Sequence, residues 1–417
     1  MTPPAVAFDP RRRTPALDGL RGVAILLVLL VHCTAIRPTD TVSRLCLGPM
    51  VLGWSGVDLF FVISGFLITS ILLDTRGASG YFSIFYARRV LRIFPLYYTL
   101  LFLTLVVLPQ FDHPRREAFA AIEGHEIYFW TFLANFSIAY RNGFEHGILA
   151  AAWALSIEEQ FYLVWPLVVL AAGTRGLKRL CPVLITASLL CRLVLMFGFD
   201  ASNVQLYVLT PCRLDGLAAG GLAATLVREG FDPARYAGRL KLVAFACCST
   251  LLVSETAQLF LYPDSDYQYS NFACGPGFTL LAIGFAALLL LALSRQAAPR
   301  LVRAFESRWL QSFGLYSYGT YMLHGPARAI FRDLIYGPAG ETGGGPLIPF
   351  PEIGGSLLLA QLAFYPPAIA ISWLVGWLSW RLLEAPCLRL KRYFPYPGTR
   401  KTSGPTPGPD RPLEAAE

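Results

Sequence analysis

The stretch Leu20-Arg21-Gly-Val-Ala-Ile-Leu-Leu-Val-Leu-Leu-Val-His32-Cys33 decides the fold, because it places two ionisable side chains within one apolar run. Arg21 and His32 are eleven residues apart, which is almost three turns of an α-helix at about 3.6 residues per turn. We therefore expect both on one helix face, with Arg21 at the membrane edge and His32 roughly 16 Å away, about halfway across the lipid. Ionisable groups at that depth are costly and indicate a functional site. The alternatives are an anchoring role for Arg21 and an interhelical hydrogen bond for His32.

The composition predicts a membrane protein. Of the 417 residues, 55% are hydrophobic and only 15% are charged, whereas a soluble domain carries about 25% charged residues. The formal net charge is +8, but the basic residues lie in short segments between apolar runs, where they set membrane topology. We therefore expect the lipid bilayer as a partner and no nucleic acid. The nine cysteines include no Cys-x-x-Cys pair, which favours apolar packing over a metal site or a disulfide framework.

Apolar runs of the length that crosses a bilayer, about 20 residues, predict an all-α, polytopic transmembrane helical bundle of ten spans. With a cytoplasmic N-terminus, 26 Lys and Arg fall on the inside, and seven fall on the outside when Arg328, near the end of the ninth span, is counted there. This ratio fits the positive-inside rule. Both termini are then predicted to be cytoplasmic. The predicted regions are a tail at 1–14, a transmembrane domain at 15–392 and a disordered tail at 393–417. The spans lie near 20–37, 50–72, 93–110, 149–172, 181–198, 205–227, 242–262, 276–294, 310–331 and 354–380.

A carboxylate opens the second predicted span, in Gly56-Val-Asp58-Leu-Phe-Phe-Val-Ile-Ser64. Asp58 precedes a long apolar run, so its charge needs a partner. We expect that partner to be His32, since a carboxylate bonded to an imidazole fixes its tautomer and raises its basicity. The alternative is that Asp58 lies at the water interface.

Two adjacent carboxylates occur in Trp153-Ala-Leu-Ser-Ile-Glu158-Glu159-Gln-Phe-Tyr162. Glu158 and Tyr162 share a helix face by their spacing of four, and Glu159 points about 100° away. Charges beside a membrane span usually face a cavity. These side chains are predicted to position a substrate hydroxyl or to neutralise nearby arginines; the alternative is a helix cap at the outer surface.

Three arginines form a basic stripe at the cytoplasmic end of the third predicted span. Arg88 and Arg92 are four residues apart, and Arg89 and Arg92 are three apart, which places all three along one side of a helix. Arginine binds phosphate through a bidentate fork, so the stripe predicts a phosphate-bearing ligand. Positive-inside bias or contact with anionic lipid headgroups explains the spacing equally well.

Two further groups lie inside later spans. Arg213 and Asp215 could form a buried ion pair, with structural or substrate-binding roles equally open. His324, in Tyr318-Gly-Thr-Tyr-Met-Leu-His324, is a second intramembrane imidazole. It is a candidate acid/base or acceptor-binding group, or a hydrogen-bonded structural histidine.

Taken in order, these elements resemble the acyltransferase family 3 of integral membrane proteins. The resemblance runs from Pro15 to about Arg392, and several ordered motifs are far more specific than any one of them. The matching stretches are Leu17-Asp-Gly-Leu-Arg21 with His32, Gly56 to Phe66, Arg88 to Pro95, Trp153 to Tyr162, Arg213-Leu-Asp-Gly216 and Ser317 to His324.

The resemblance implies transfer of an acyl group, most often acetyl, from acyl-CoA to a hydroxyl of a glycan, a lipid-linked sugar or another cell-envelope acceptor. Acyl-CoA is then a co-substrate, no cofactor is bound, and the protein lies in the cell inner (plasma) membrane. The rival class is a secondary transporter, which also holds charges at mid-membrane, but the chain has no matching halves.

On this basis we predict His32 as the general base or a transient acyl carrier, oriented by Asp58 or Glu158. The predicted ligands of the CoA phosphates are Arg21, Arg88, Arg89 and Arg92. The predicted substrate-binding residues are Glu159, Tyr162, Arg213 and His324.

Overall fold

A computed structural model describes residues 8–10, 13–34, 41–110, 122–144, 147–261, 270–336 and 357–396. Within these ranges the chain forms helices and no β-strand, which confirms the predicted all-α class. The helices are α1 (Pro15–Cys33), α2 (Thr41–Val51), α3 (Gly56–Thr75), α4 (Tyr81–Phe102), α5 (Glu126–Trp130), α6 (Ala134–Arg141), α7 (Ala152–Gly198), α8 (Asn203–Val208), α9 (Thr210–Arg228), α10 (Ala237–Leu261), α11 (Phe278–Ala292), α12 (Pro299–Phe305), α13 (Arg308–Leu315), α14 (Ser317–Tyr336), α15 (Leu357–Ser379) and α16 (Ala385–Leu388). Short 3-10 or π-helical turns lie at Leu52–Ser55, Leu103–Val107, Leu108–Gln110, Gly147–Leu149, Ala273–Gly277, Trp380–Glu384 and Arg389–Tyr393.

Seven helical stretches of the described chain are long and apolar enough to cross a membrane. One of them, α7, has 47 residues and is broken at Gly173, where φ is 57°. It therefore contains two of the predicted spans, 149–172 and 181–198. The segments predicted as spans at 205–227 and 310–331 form α9 and α14, which are not among the seven. The count of ten spans and the cytoplasmic termini stay predictions.

Helix α3 lies at the centre of the bundle and packs against α1, α7, α9 and α11. Nearly all of its residues are buried, as expected for a helix that is apolar all round. Its closest neighbour is α9, because glycines let the two backbones touch. A Cβ at Gly65 would lie 2.0 Å from the Leu217 carbonyl oxygen, and one at Gly220 would lie 2.1 Å from that of Val62. Small residues at the contact are typical of packing between membrane helices.

The first helix is displaced along the sequence relative to the prediction. It begins at Pro15, in the first turn that proline favours, and ends at Cys33. His32 therefore occupies the last turn of α1, and Arg21 lies roughly 9 Å along the axis from its start. The expected depth of His32, about halfway across the lipid, stays a prediction.

The end of the described chain packs on α4. Arg88 donates from Nη1 to the carbonyl oxygens of Lys391, at 3.4 Å, and Phe394, at 3.1 Å. Its guanidinium carbon also lies 4.3 Å from the centre of the Tyr396 ring. Residues 393–396, assigned by the sequence to a disordered tail, thus have defined contacts, and the rest of that predicted tail lies outside the described residues.

Candidate active site

A cavity opens among α1, α3, α4, α7 and α14. Arg21, Arg89 and Arg92 line it together with Glu158 and Tyr162. The structure therefore brings five of the predicted site residues to one place. Three arginines and one carboxylate line the cavity, and Arg92 also interacts with Glu384 outside this lining. A lining with three guanidinium groups is suited to an anionic ligand.

The arginines of α4 divide between two surroundings. Arg89 and Arg92 line the cavity, and the Arg89 guanidinium lies 5.5 Å from the centre of the Tyr162 ring. Arg88 points about 100° away from Arg89 around the helix and contacts Lys391, Phe394 and Tyr396 in the segment after α16. The structure does not bring Arg88 to the cavity, although the spacing placed all three arginines in one stripe.

Glu158 is held by hydrogen bonds from two helices. Its Oε1 accepts from the Ser64 hydroxyl of α3 at 2.8 Å, and its Oε2 accepts from the Tyr162 hydroxyl at 3.2 Å. Ser64 and Tyr162 also line the cavity. Both carboxylate oxygens are thus occupied, and the group is fixed beside the arginines rather than beside His32.

The next two residues of α7 point elsewhere, as successive helical positions must. Glu159 does not line the cavity, and its buried Oε1 has no hydrogen-bond partner within the described part of the chain. The Gln160 side chain donates to the Phe132 carbonyl at 2.9 Å and accepts from Thr210 at 2.6 Å. Gln160 therefore joins α7 to the loop before α6 and to α9.

The two predicted intramembrane histidines meet. The His32 and His324 ring centres are 4.7 Å apart, edge to face. His324 is only 4% exposed, whereas His32 is exposed at its edge of the bundle. Each Nδ1 is paired with a backbone carbonyl, that of Val28 at 2.8 Å for His32 and that of Tyr321 at 2.6 Å for His324. Because a carbonyl can only accept, both Nδ1 atoms carry the proton and each Nε2 of a neutral ring keeps its lone pair.

The last turn of α1 is capped by side chains from other helices. Arg328 donates to the His32 carbonyl, and Gln361 donates to the Cys33 carbonyl at 3.0 Å. The Thr34 hydroxyl bonds the Leu30 carbonyl at 2.8 Å. These bonds satisfy carbonyls that a helix end leaves without intrahelical partners. Sequence reasoning missed Arg328 and Gln361, although Arg328 follows His324 by one helical turn.

The expected pairing of Asp58 with His32 does not form. Asp58 Oδ1 instead accepts from Arg213 at 2.7 Å, and both side chains are at most 3% exposed. The Arg213 guanidinium also lies 3.7 Å from the centre of the Phe278 ring. This ion pair joins α3 to α9, so Asp58 is directed into the bundle and away from the end of α1.

The Arg213–Asp215 pair suggested by the sequence is also wrong. Residues two apart on a helix point in nearly opposite directions, so the two side chains take different partners. Asp215 pairs with Arg192 of α7 at 2.9 Å and accepts from the Thr279 hydroxyl at 3.0 Å. Two buried ion pairs thus start from α9: Arg213 binds Asp58 of α3, and Asp215 binds Arg192 of α7. The Thr279 hydroxyl adds α11 to the second pair.

Comparison with known proteins gives the family. Residues 14–377 match a family described as an acyltransferase domain. YrhL of Bacillus subtilis (strain 168), named as a candidate peptidoglycan O-acetyltransferase, is 31% identical over 332 residues, which cover 76% of this chain and 48% of that protein. The peptidoglycan O-acetyltransferase OatA of Listeria monocytogenes serovar 1/2a is 27% identical over 402 residues, covering 90% and 56%. The O-acetyltransferase OatA of Staphylococcus aureus (strain NCTC 8325 / PS 47) is 28% identical over 329 residues, covering 76% and 50%.

The chain spans about half the length of the curated relatives it matches. No solved structure matches it. The family match covers most of the chain and confirms the resemblance carried by the motifs. This chain belongs to the acyltransferase family 3 of integral membrane proteins.

Proposed function

We propose that this chain is a membrane O-acyltransferase that moves an acyl group, normally acetyl, from acyl-CoA to a hydroxyl of a cell-envelope glycan. The observation that carries the proposal is the cavity in which three arginines face one carboxylate. That charge balance suits the phosphates of coenzyme A, which arginine binds through two parallel hydrogen bonds. The O-acetyltransferase names of the relatives support acetyl as the acyl group and a glycan as the acceptor.

In this proposal Arg21, Arg89 and Arg92 bind the phosphates of the donor. They reach the cavity from α1 and α4, so a phosphate chain between them would be held from two sides. Glu158 offsets part of this positive charge while its oxygens remain bonded to Ser64 and Tyr162. The pantetheine arm would extend from there toward His32, roughly 16 Å farther along α1.

We propose His32 as the general base for the acceptor. Its Nε2 takes the proton of the hydroxyl while the oxygen attacks the thioester carbonyl. The new C–O bond forms the ester, the C–S bond breaks, and the imidazolium returns the proton to the departing CoA thiolate. The Nδ1 bond to Val28 fixes the tautomer that this step needs, and a base so placed contributes about 10²- to 10⁴-fold in rate.

We propose that His324 assists the same step. Its ring contacts that of His32, so it can contact an acceptor bound at His32. Asp58 and Arg213 have a positioning role, because their ion pair fixes α3 against α9. Direct attack on the donor by His32, giving an acyl-imidazole, differs from the base mechanism in one observable: a labelled acyl group would stay on the protein when acceptor is withheld.

The test uses the purified chain in lipid nanodiscs with radiolabelled acetyl-CoA and isolated peptidoglycan. We expect label on the glycan, and transfer about 10²- to 10⁴-fold slower by a His32→Ala variant that inserts and folds normally. Full transfer by that variant would reject His32 as the base. A secondary transporter would instead accumulate solute in sealed vesicles without forming a glycan ester.

Mass spectrometry of surface glycans from cells with and without the protein identifies the natural acceptor. We expect one acyl group to be lost from a defined glycan when the protein is absent. Reaction of engineered cysteines with membrane-impermeant thiol reagents tests the proposed placement in the plasma membrane with cytoplasmic termini.

A further inference from the structure

Arg328 brings a positive charge to the two histidines. It lies on α14, one helical turn after His324, and donates from Nη1 to the His32 carbonyl oxygen. Because that carbonyl belongs to the same residue as the proposed base, the bond fixes the guanidinium beside it. The charge of Arg328 acts on both imidazole rings. The cap on α1 thus places a cation where the acyl transfer is proposed to occur.

The proposed transfer creates a negative charge for which the neutral imidazoles have no N–H to spare. When the acceptor oxygen bonds to the thioester carbon, an electron pair of the C=O bond moves to its oxygen and gives an oxyanion. The Nδ1 proton of His32 is committed to the Val28 carbonyl. That of His324 is committed to the Tyr321 carbonyl, and a neutral imidazole has one N–H. The oxyanion therefore needs a donor from another side chain.

The end of α1 makes this need greater. Its last carbonyls form the negative end of the helix dipole, which disfavours a further negative charge nearby. Gln361 caps the Cys33 carbonyl at 3.0 Å with a neutral amide, whereas Arg328 caps the His32 carbonyl with a charged group. A guanidinium has five N–H donors and can bond a carbonyl and an anion together.

We infer that Arg328 is a catalytic residue that binds the oxyanion formed during transfer at His32. The inference rests on the proposed acyl-CoA-dependent function and adds an electrostatic group to it. His32 takes the proton of the acceptor hydroxyl, the new C–O bond forms, and Arg328 holds the oxyanion. When the C=O bond re-forms, the C–S bond breaks and the imidazolium gives its proton to the CoA thiolate.

The experiment separates charge from capping at one position. Initial rates of transfer from radiolabelled acetyl-CoA to isolated peptidoglycan are measured in nanodiscs for Arg328→Gln and Arg328→Lys. Both new side chains have N–H donors for a carbonyl, but only lysine keeps the charge. We expect Arg328→Gln to lower kcat about 10²- to 10³-fold with KM for acetyl-CoA nearly unchanged, because the interaction exists only in the transition state. Arg328→Lys should keep a kcat well above that of Arg328→Gln.

Gln361→Met is the matched control for capping. It removes the neutral cap from the next carbonyl of α1 and leaves Arg328 in place. It should lower kcat less than Arg328→Gln does, even where the two variants lower the thermal unfolding midpoint equally.

The outcomes are distinct. Equal kcat values for folded Arg328→Lys and Arg328→Gln proteins overturn the inference, and so does an equal loss in Gln361→Met. A raised KM with an unchanged kcat also overturns it, because Arg328 would then bind substrate rather than the oxyanion. If Arg328→Gln does not fold, Arg328→Met takes its place in the same comparison. These results leave the proposed function standing, whereas failure of the wild type to transfer acetyl from acetyl-CoA overturns both.

Discussion

The division of the α4 arginines gives a sharp test of the donor site, because neighbouring residues with the same side chain have different surroundings. Arg89 lines the cavity, and Arg88 bonds the Phe394 carbonyl in the segment after α16. We expect Arg89→Ala to weaken CoA binding and Arg88→Ala to leave it nearly unchanged. The two variants remove the same charge from positions one residue apart, so each is a matched control for the other.

The magnitude follows from the bonds that each side chain makes. A hydrogen bond to a charged group contributes about 1.5–3 kcal/mol, so loss of the Arg89 contact to a phosphate should raise the dissociation constant about 10- to 150-fold. Arg89→Lys keeps the charge but loses the planar fork and should give a smaller rise. Arg88→Ala removes a charged donor from the carbonyls of Lys391 and Phe394 and should lower the free energy of unfolding by about 1–3 kcal/mol.

The assay is equilibrium binding of radiolabelled CoA to the protein in nanodiscs at several salt concentrations, with the thermal unfolding midpoint measured in parallel. Binding by Arg89→Ala should also depend less steeply on salt, because one charged contact is missing. Equal loss of CoA affinity in the Arg88 and Arg89 variants would refute the assignment of separate roles. Unchanged CoA affinity in the Arg89 variant would show that Arg89 does not bind the donor, and its charge would then serve only to set membrane topology.

Three further predictions concern catalysis and the packing of the bundle. His32→Ala should lower the rate of acetyl transfer about 10²- to 10⁴-fold without shifting the thermal midpoint; a change in stability alone would contradict a role in the reaction. Arg213→Met leaves Asp58 buried and unpaired and should cost about 3–5 kcal/mol in stability, whereas the double variant with Asp58→Leu should recover much of that loss; equal costs would argue against the ion pair. Gly65→Ala places a Cβ against the Leu217 carbonyl and should destabilise the bundle by about 1–3 kcal/mol, which a shift in thermal midpoint would measure.

The sequence predicted directions around a helix well and partners between helices poorly. Spacing correctly separated Glu158 from Glu159 by their angle on α7, and the spacing of Arg89 and Arg92 fits their shared position at the cavity. It could not show which helix lies opposite a given face. Asp58 and Arg213 are 155 residues apart in the chain, and nothing local to either one identifies the other.

Helix ends were the other source of error. The apolar run after Arg21 suggested a span from 20 to 37, whereas α1 runs from Pro15 to Cys33. The apolar pattern does not reveal that proline is favourable in a first turn or that Arg328 and Gln361 cap the last one. These caps come from α14 and α15, so the position of His32 depends on tertiary contacts.

Helices α1 and α14 connect the arginine cavity to the contact between His32 and His324. Arg21 and Tyr318 lie at the cavity, and His32 and His324 meet farther along the same two helices. The two helices therefore present the cavity and the imidazoles in the same order, and the distance between Arg21 and His32 is set by helical rise, roughly 16 Å along α1. A donor held by its phosphates at one end must place its thioester at a defined distance from them. A shift of α1 by one turn would misplace the proposed base by roughly 5 Å, so we expect the bonds from Arg328 and Gln361 that cap the end of α1 to affect transfer.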